Sequence, residues 1–328
     1  EFGTIKREAI LSFKHSLNNL SDNRTLAQLI TKLEQGDPET YRNIESIVSG
    51  TFRSHRIGVT GSAGTGKSSL INHLISFFRS KQKSVGVLSV DPSSVFSGGA
   101  VLGDRVRMQQ HAEDDGVFIR SLATRDFKGH LASAIWSSVA LLEASGKDIV
   151  IIETSGSGQT DSDIYYVADT VTLLLVPEGG DAIQTLKSGI MEIADIYVVN
   201  KADRPGADIL TKTLSAHLRL AEPSEVWKPP IIKTQANKGK GINELCEAIG
   251  QHYLSLIKNP SSNKTLPEQR RREFIRQVEL GFSRILRHHL ENNKEASSLV
   301  KDVESAVVSP QRTAQQLMYK IAKLMDDM

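Results

Sequence analysis

The chain has 328 residues, 39% apolar and 24% charged, which is enough to bury a core without disulfide or metal staples. Its 40 Lys and Arg against 38 Asp and Glu leave a formal net charge of +2, too little for the global field of a nucleic-acid or membrane-surface binder. A single Cys excludes an internal disulfide framework and a Cys-rich metal site, and it points to a reducing compartment, cytoplasm or organelle matrix.

Taken in chain order, residues 5–50 carry apolar side chains at helical spacing, Ile10, Phe13 and Leu17, then Leu26, Leu29, Ile30 and Leu33, with Gly36-Asp37-Pro38 as punctuation. They predict a helical N-terminal extension. The opening residues lack the basic stretch and apolar run of a secretory signal, so none is expected. From Arg56 the pattern changes to short Val/Ile/Leu runs, each followed by a helix-period segment: 57–60, 84–90, 117–120, 148–152, 171–176, 196–199 and 231–233. Strands separated by helices imply βαβ crossovers and a mostly parallel sheet buried on both faces, so 51–258 reads as a doubly wound α/β domain. The strand at 84–90 directly follows the first helix and should run parallel to the strand at 57–60. The longest of these runs is far below the roughly 18 residues of a membrane helix, so no span is expected.

After Pro260 a polar link, Ser261-Ser262-Asn263-Lys264, leads into a helical extension over 265–328. Phe274, Ile275, Val278, Phe282, Ile285, Leu286 and His289 form a stripe with helical spacing. That stripe has two readings, packing back on the α/β domain or serving as the arm of a homodimer. Arg270-Arg271-Arg272 reads as a solvated face.

Gly61-Ser62-Ala63-Gly64-Thr65-Gly66-Lys67-Ser68 fits G-x-x-x-x-G-K-[ST] between an apolar strand and a helix. Its glycines let backbone N–H groups turn inward on phosphate oxygens at the positive end of the helix, which begins with Ser68 and Ser69. Lys67 is placed to reach the β- and γ-phosphates, and Ser68 to ligate Mg²⁺. Asn200-Lys201-Ala202-Asp203 fits N-K-x-D after the strand at 196–199. An Asp203 carboxylate accepts from N1–H and the exocyclic amine of guanine, which adenine does not offer, so GTP and GDP are the expected ligands. Gln235 and Ala236, in Thr234-Gln235-Ala236 after the next strand, fit a second guanine loop.

The strand ending at Glu153, followed by Thr154-Ser155-Gly156, offers a carboxylate for Mg²⁺ and a Gly156 N–H for the γ-phosphate. Asp91, in Asp91-Pro92-Ser93-Ser94, and Asp104, in Gly103-Asp104-Arg105, are further metal-side candidates, with a helix-cap or turn role as the alternative. Lys67, Asp91 and Glu153 are the expected catalytic set. Cys246 sits with Ile242, Leu245, Ile249 and Tyr253 on one helix face and reads as a buried structural thiol.

Together these segments resemble the G3E, SIMIBI-type P-loop GTPases, and within them the MeaB/ArgK/MMAA family of chaperones for adenosylcobalamin-dependent methylmalonyl-CoA mutase and related acyl-CoA mutases. The most specific parts are Val90-Asp91-Pro92-Ser93-Ser94, the run from Gly98 to Met108, Glu153-Thr154 with Gly156, Gly158 and Gln159, and the run from Gly189 to Asp195. The resemblance implies a Mg²⁺ environment of Ser68, Asp91, Asp104 and Glu153. It also implies a segment at 178–187, with Asp181, Gln184 and Lys187, that couples nucleotide state to a mutase. Ala63 stands where that family usually has Pro, Ser155 and Ser157 where it has Val, and Ala182 where it has an acidic residue.

The expected protein is thus a GTPase timer, slow alone and accelerated by a mutase partner. Two rivals stay open. A nickel-inserting GTPase needs a Cys or His cluster, and a kinase acting on a transport protein needs a preference for ATP.

Overall fold

The structure is a computed structural model and describes residues 22–37, 40–41, 44, 54–92, 109–111, 113–124, 134–156, 161–178, 189–220 and 227–259, then 271, 274–275, 278–279, 281–283, 286 and 289–326. The chain divides into two compact units, Glu1–Arg271 and Arg272–Met328.

The first unit is built on seven strands, β1 (His55–Thr60), β2 (Val85–Pro92), β3 (Val117–Thr124), β4 (Ile149–Glu153), β5 (Thr170–Leu175), β6 (Ile196–Val199) and β7 (Ile231–Lys233). They form one sheet in the order β3-β2-β4-β1-β5-β6-β7, and every pairing is parallel. The expected strand at 84–90 is β2, and it runs parallel to β1 with β4 between them.

Alternation in the apolar runs supplies both faces. Along β4, Ile149 and Ile151 enter one core while Val150 and Ile152 enter the other. The first core is covered by helix α2 (Lys67–Ser80), through Leu70, Ile71, Leu74 and Ile75, and by α5 (Ile242–Lys258), through Leu245 and Ile249. The second is covered by α1 (Asn23–Glu34) and α3 (Ile135–Ala144). A third cluster lies under α4 (Ala207–Leu220), where Leu210 and Leu214 meet β5 and β6.

The N-terminal helix α1 is part of this packing. Leu26, Leu29, Ile30 and Leu33 are all buried, as their spacing predicts, and Asp22 caps the helix by accepting from Thr25 N at 2.8 Å. Arg120 on β3 ties it down by donating to Glu34 at 2.7 Å. Ile10, Phe13 and Leu17 lie outside the described residues.

In the second unit α6 (Lys294–Glu304) and α7 (Pro310–Asp326) follow one another, with Asn293 Oδ1 accepting from Ala296 N at 3.1 Å as a helix cap. Phe274 and Val278 of the apolar stripe are exposed, while Ile275, Phe282 and Leu286 are half-buried. Ile285 lies outside the described residues.

The amino-terminal edge of the sheet is closed by a polar chain, buried at His55, Thr170 and His252 and half-buried at Asp195. His55 Nε2 lies 2.8 Å from Thr170 Oγ1, which lies 2.8 Å from His252 Nδ1, and His252 Nε2 lies 3.3 Å from Asp195 Oδ1. Thr170 has one hydroxyl proton, so it donates to one imidazole and accepts from the other. Burial pushes His252 down to about 4 and Asp195 up to about 7.

The two shifts act oppositely on stability. Between the unfolded value of 6.5 and about 4, the unfolded chain binds the His252 proton that the folded chain refuses, so stability is lost as pH falls. Between 3.8 and about 7, the folded chain keeps the Asp195 proton that the unfolded chain releases, so stability is lost as pH rises. Each slope is at most about 1.4 kcal/mol per pH unit. Asp195→Asn should therefore give stability that falls from pH 6.5 to 4, and His252→Gln stability that falls from pH 4 to 7. Denaturant titrations across that range check the two opposite slopes.

Candidate functional site

The chain leaves β1 through α2 toward β2 on one side and returns through β4 to β5 on the other, so the carboxyl end of β1 is where strand order reverses. In open parallel sheets the ligand crevice lies outside such a point. The segment from Gly61 to Gly66 connects β1 to α2 there, and its Ala63 and Gly64 are exposed at the mouth.

Lys67 and Ser68 open the helix and are both buried. The Lys67 ammonium donates to Gly61 O at 2.7 Å and Ser62 O at 3.2 Å, so its head lies over the loop that precedes it. Ser69 points out at the next position and is exposed. Thr65 Oγ1 donates to Ser62 O at 2.9 Å and closes the turn from within. Backbone N–H groups at the start of a helix carry partial positive charge and find no partner inside the helix, which suits this corner to phosphate.

Glu153, at the tip of β4, is buried and takes a hydroxyl on each oxygen. Ser68 donates to Oε1 at 3.0 Å and Ser89 to Oε2 at 3.1 Å. The start of α2 is thereby joined to β2 and to the tip of β4. Ser89 was not among the residues expected from sequence. Its signal is register, because Ser89 stands opposite Glu153 in the parallel β2–β4 pair. Beyond Glu153, Thr154 Oγ1 donates to Thr60 Oγ1 at 3.0 Å.

Gly156 follows with φ +78°, and a β-carbon there would come within 2.6 Å of both Gly61 O and Lys67 Nζ and 2.8 Å of Ala63 N. Glycine is thus required on two counts, the left-handed backbone and the approach to the phosphate loop.

Asn200 is the hub of the other half. Its side-chain amide donates to Thr65 O at 2.7 Å, while its Oδ1 accepts from Thr234 Oγ1 and Ala236 N, both at 3.0 Å. A β-carbon at Gly66, where φ is +96°, would lie 2.5 Å from the same amide nitrogen, so the phosphate loop and Asn200 approach as closely as glycine permits. Lys201, at φ +55°, donates to Gly64 O at 2.9 Å. Asp203 is exposed and pairs with Lys238 at 3.4 Å. Its own backbone N–H and then Lys238 hold its carboxyl below the usual value, leaving an ionised acceptor at the rim. Gln235 is half-buried and Ala236 buried beside it.

Of the remaining expected residues, Asp91 lies at the end of β2, in register with Ala123 on β3. Asp104, Asp181, Gln184 and Lys187 lie outside the described residues. Among the described residues no group of three His, Cys, Asp or Glu is gathered to hold a metal by itself. Burial pushes the Cys246 thiol up to about 12, as suits a packed thiol.

A parallel sheet with a glycine-rich phosphate loop on its central strand, a strand-tip carboxylate and an N-K-x-D loop defines a SIMIBI-type P-loop nucleoside triphosphatase. Residues 26–294 match the family described as methylmalonyl Co-A mutase-associated GTPase MeaB. A relative from Pyrococcus horikoshii, also named as a GTPase, is 41% identical over 304 residues, covering 92% of this chain and 95% of its own. The mitochondrial methylmalonic aciduria type A homolog of Mus musculus is 32% identical over 270 residues, 80% of this chain and 64% of that one. A crystal structure of a LAO/AO transport system kinase, 24% identical, superposes with TM-score 0.68 over 95% of this chain and 98% of that chain, a likeness of fold. The chain belongs to the MeaB family and is a GTPase that binds guanine nucleotide.

Asn200→Ala would leave Thr65 O, the Thr234 hydroxyl and Ala236 N without their shared partner in a buried place. A loss of about 2–4 kcal/mol in folding stability is expected, read from denaturant midpoints. Gly156→Ala should lower GTP affinity and also cost about 1–3 kcal/mol of folding stability, read from denaturant midpoints, since its β-carbon meets the phosphate loop and its φ of +78° strains any residue but glycine.

Proposed function

We propose that this GTPase gates an adenosylcobalamin-dependent acyl-CoA mutase, methylmalonyl-CoA mutase being the first candidate, by ordering its strand-tip loops around GTP and releasing them on hydrolysis. Family membership supports the choice of partner. The observation that carries the switch is the buried Glu153 carboxylate, bonded at once to Ser68 and Ser89 and leading directly into Gly156. Whatever binds at Ser68 is felt by the loop after β4.

The donor set there fits Mg²⁺. A hydroxyl at the start of the phosphate helix and a buried carboxylate are oxygen ligands of the hard kind that ion takes, with Asp91 and Asp104 as the further candidates. When bound, the ion neutralises charge on the β- and γ-phosphate oxygens. Ser68 would offer it a lone pair while its hydroxyl stays hydrogen-bonded to Glu153. Gly61 through Ser69 would cradle the phosphates, Lys67 would turn from its loop carbonyls to the β- and γ-oxygens, and Gly156 N–H would meet the γ-phosphate. Asn200, Lys201, Asp203, Gln235 and Ala236 would hold the base, with Asp203 selecting guanine.

The segment with Asp181, Gln184 and Lys187 would carry the nucleotide state to the mutase, and the helical unit would form the arm of a homodimer. Among the described residues no arginine offers itself as a finger in cis, so hydrolysis should be slow alone and completed by the partner.

Single-turnover GTPase assays with and without purified methylmalonyl-CoA mutase test this. At least a tenfold rise in rate is expected, and fast turnover unchanged by the mutase would sink the proposal. Lys67→Ala should abolish hydrolysis with the fold intact by circular dichroism. Glu153→Gln should remove most of the dependence of GTP affinity on Mg²⁺.

A further inference from the structure

The loop after β7 carries Gln235 and Ala236 of the residues proposed to hold the base, and sequence spacing suggests no tie between it and α2. Its base is fixed by the sheet and by itself. Thr234 N donates to Val199 O at 2.9 Å, Ala202 N to Thr234 O at 3.0 Å, and Gln235 and Lys240 pair across the turn at 3.0 and 3.3 Å. Its tip, the short turn Ala236–Lys238, is held from outside. On one side Ala236 N donates to Asn200 Oδ1 at 3.0 Å. On the other, Ala236 O lies 2.6 Å from His73 Nε2, and because a carbonyl only accepts, that nitrogen carries the proton. The imidazole sits directly under the turn, since a β-carbon at Gly239 would lie 3.4 Å from its Cε1.

His73 belongs to α2, less than two turns beyond Lys67 on the helix whose first residues face the phosphates. One rigid element therefore touches both ends of the nucleotide site. Asn200 ties the two loops to each other from the β6 side, and His73 ties them from the helix side.

We propose that His73 is a positioning residue for base recognition, which holds Ala236 at a fixed separation from the phosphate loop so that a guanine nucleotide is gripped at both ends. This rests on the reading that Asp203 and the loop at 234–236 face the base. It predicts a loss confined to ligands that carry the base and equal for di- and triphosphate, because the contact is remote from the γ-phosphate.

The test is calorimetric titration of the full chain with GDP, a non-hydrolysable GTP analogue and inorganic pyrophosphate. His73→Phe keeps a ring and removes the donor, and should weaken GDP and the GTP analogue by the same roughly five- to tenfold factor. Pyrophosphate affinity and kcat at saturating GTP should stay unchanged. His73→Gln, which returns an N–H near the Nε2 position, should recover most of the loss. If the Phe variant does not fold, His73→Asn, whose amide falls short of Ala236, takes its place.

Wild-type affinities in the donor-less variant overturn the proposal. So does a loss shared by pyrophosphate, which would mark general damage to the helix. As a separate arm, Asp203→Asn should move preference from guanine toward xanthine nucleotides. If it does not, the base-loop reading falls and the role of His73 with it.

Discussion

A sheet whose strands all run parallel, with both faces covered by helices, leaves its polar chemistry to its edges. Here the apolar alternation of β2 and β4 puts one residue set in each core, so both faces are given over mainly to packing. All strand carboxyl ends then fall on one edge, and β1 stands at its centre, between β4 and β5. Segments far apart in sequence, the phosphate loop, the tips of β2 and β4 and the loops after β6 and β7, are neighbours because parallel register aligns them.

What holds that edge together is a small number of buried side chains with several partners each. Asn200 serves three segments through one amide, and Glu153 serves two strands and a helix through one carboxylate. Such groups are costly to bury unless satisfied and strongly orienting once they are. A ligand that competes for Ser68 therefore acts on the loop of Gly156, and one that moves Ala236 acts on the phosphate loop through Asn200. The opposite edge uses the same economy for a different end. The chain of His55, Thr170, His252 and Asp195 closes the sheet at its amino-terminal end.

Much of this was legible in the residues. The short Val/Ile/Leu runs located all seven strands to within a few positions, because a strand buried on both faces is both apolar and short. The Leu26, Leu29, Ile30 and Leu33 spacing located α1 as a helix with one buried face. The Gly61–Ser68 and Asn200–Asp203 loops were legible as motifs because their residue patterns are local. A glycine-rich turn ending in Lys-Ser and an N-K-x-D after a strand specify backbone conformations and donors within a few residues of one another.

Ser89 and His73 were not legible, since neither belongs to a motif. Ser89 matters because β2 and β4 pair in the one register that sets it opposite Glu153, and His73 because α2 passes under a turn more than 150 residues later in the chain, 2.6 Å from Ala236 O. The amino-acid sequence by itself determined the strands, the helix faces, the phosphate loop and the guanine preference, all of which depend on interactions between near neighbours. Only the tertiary structure decided which hydroxyls hold the carboxylate and which helix supports the loop after β7, because those are distances between segments that meet only after the sheet has closed.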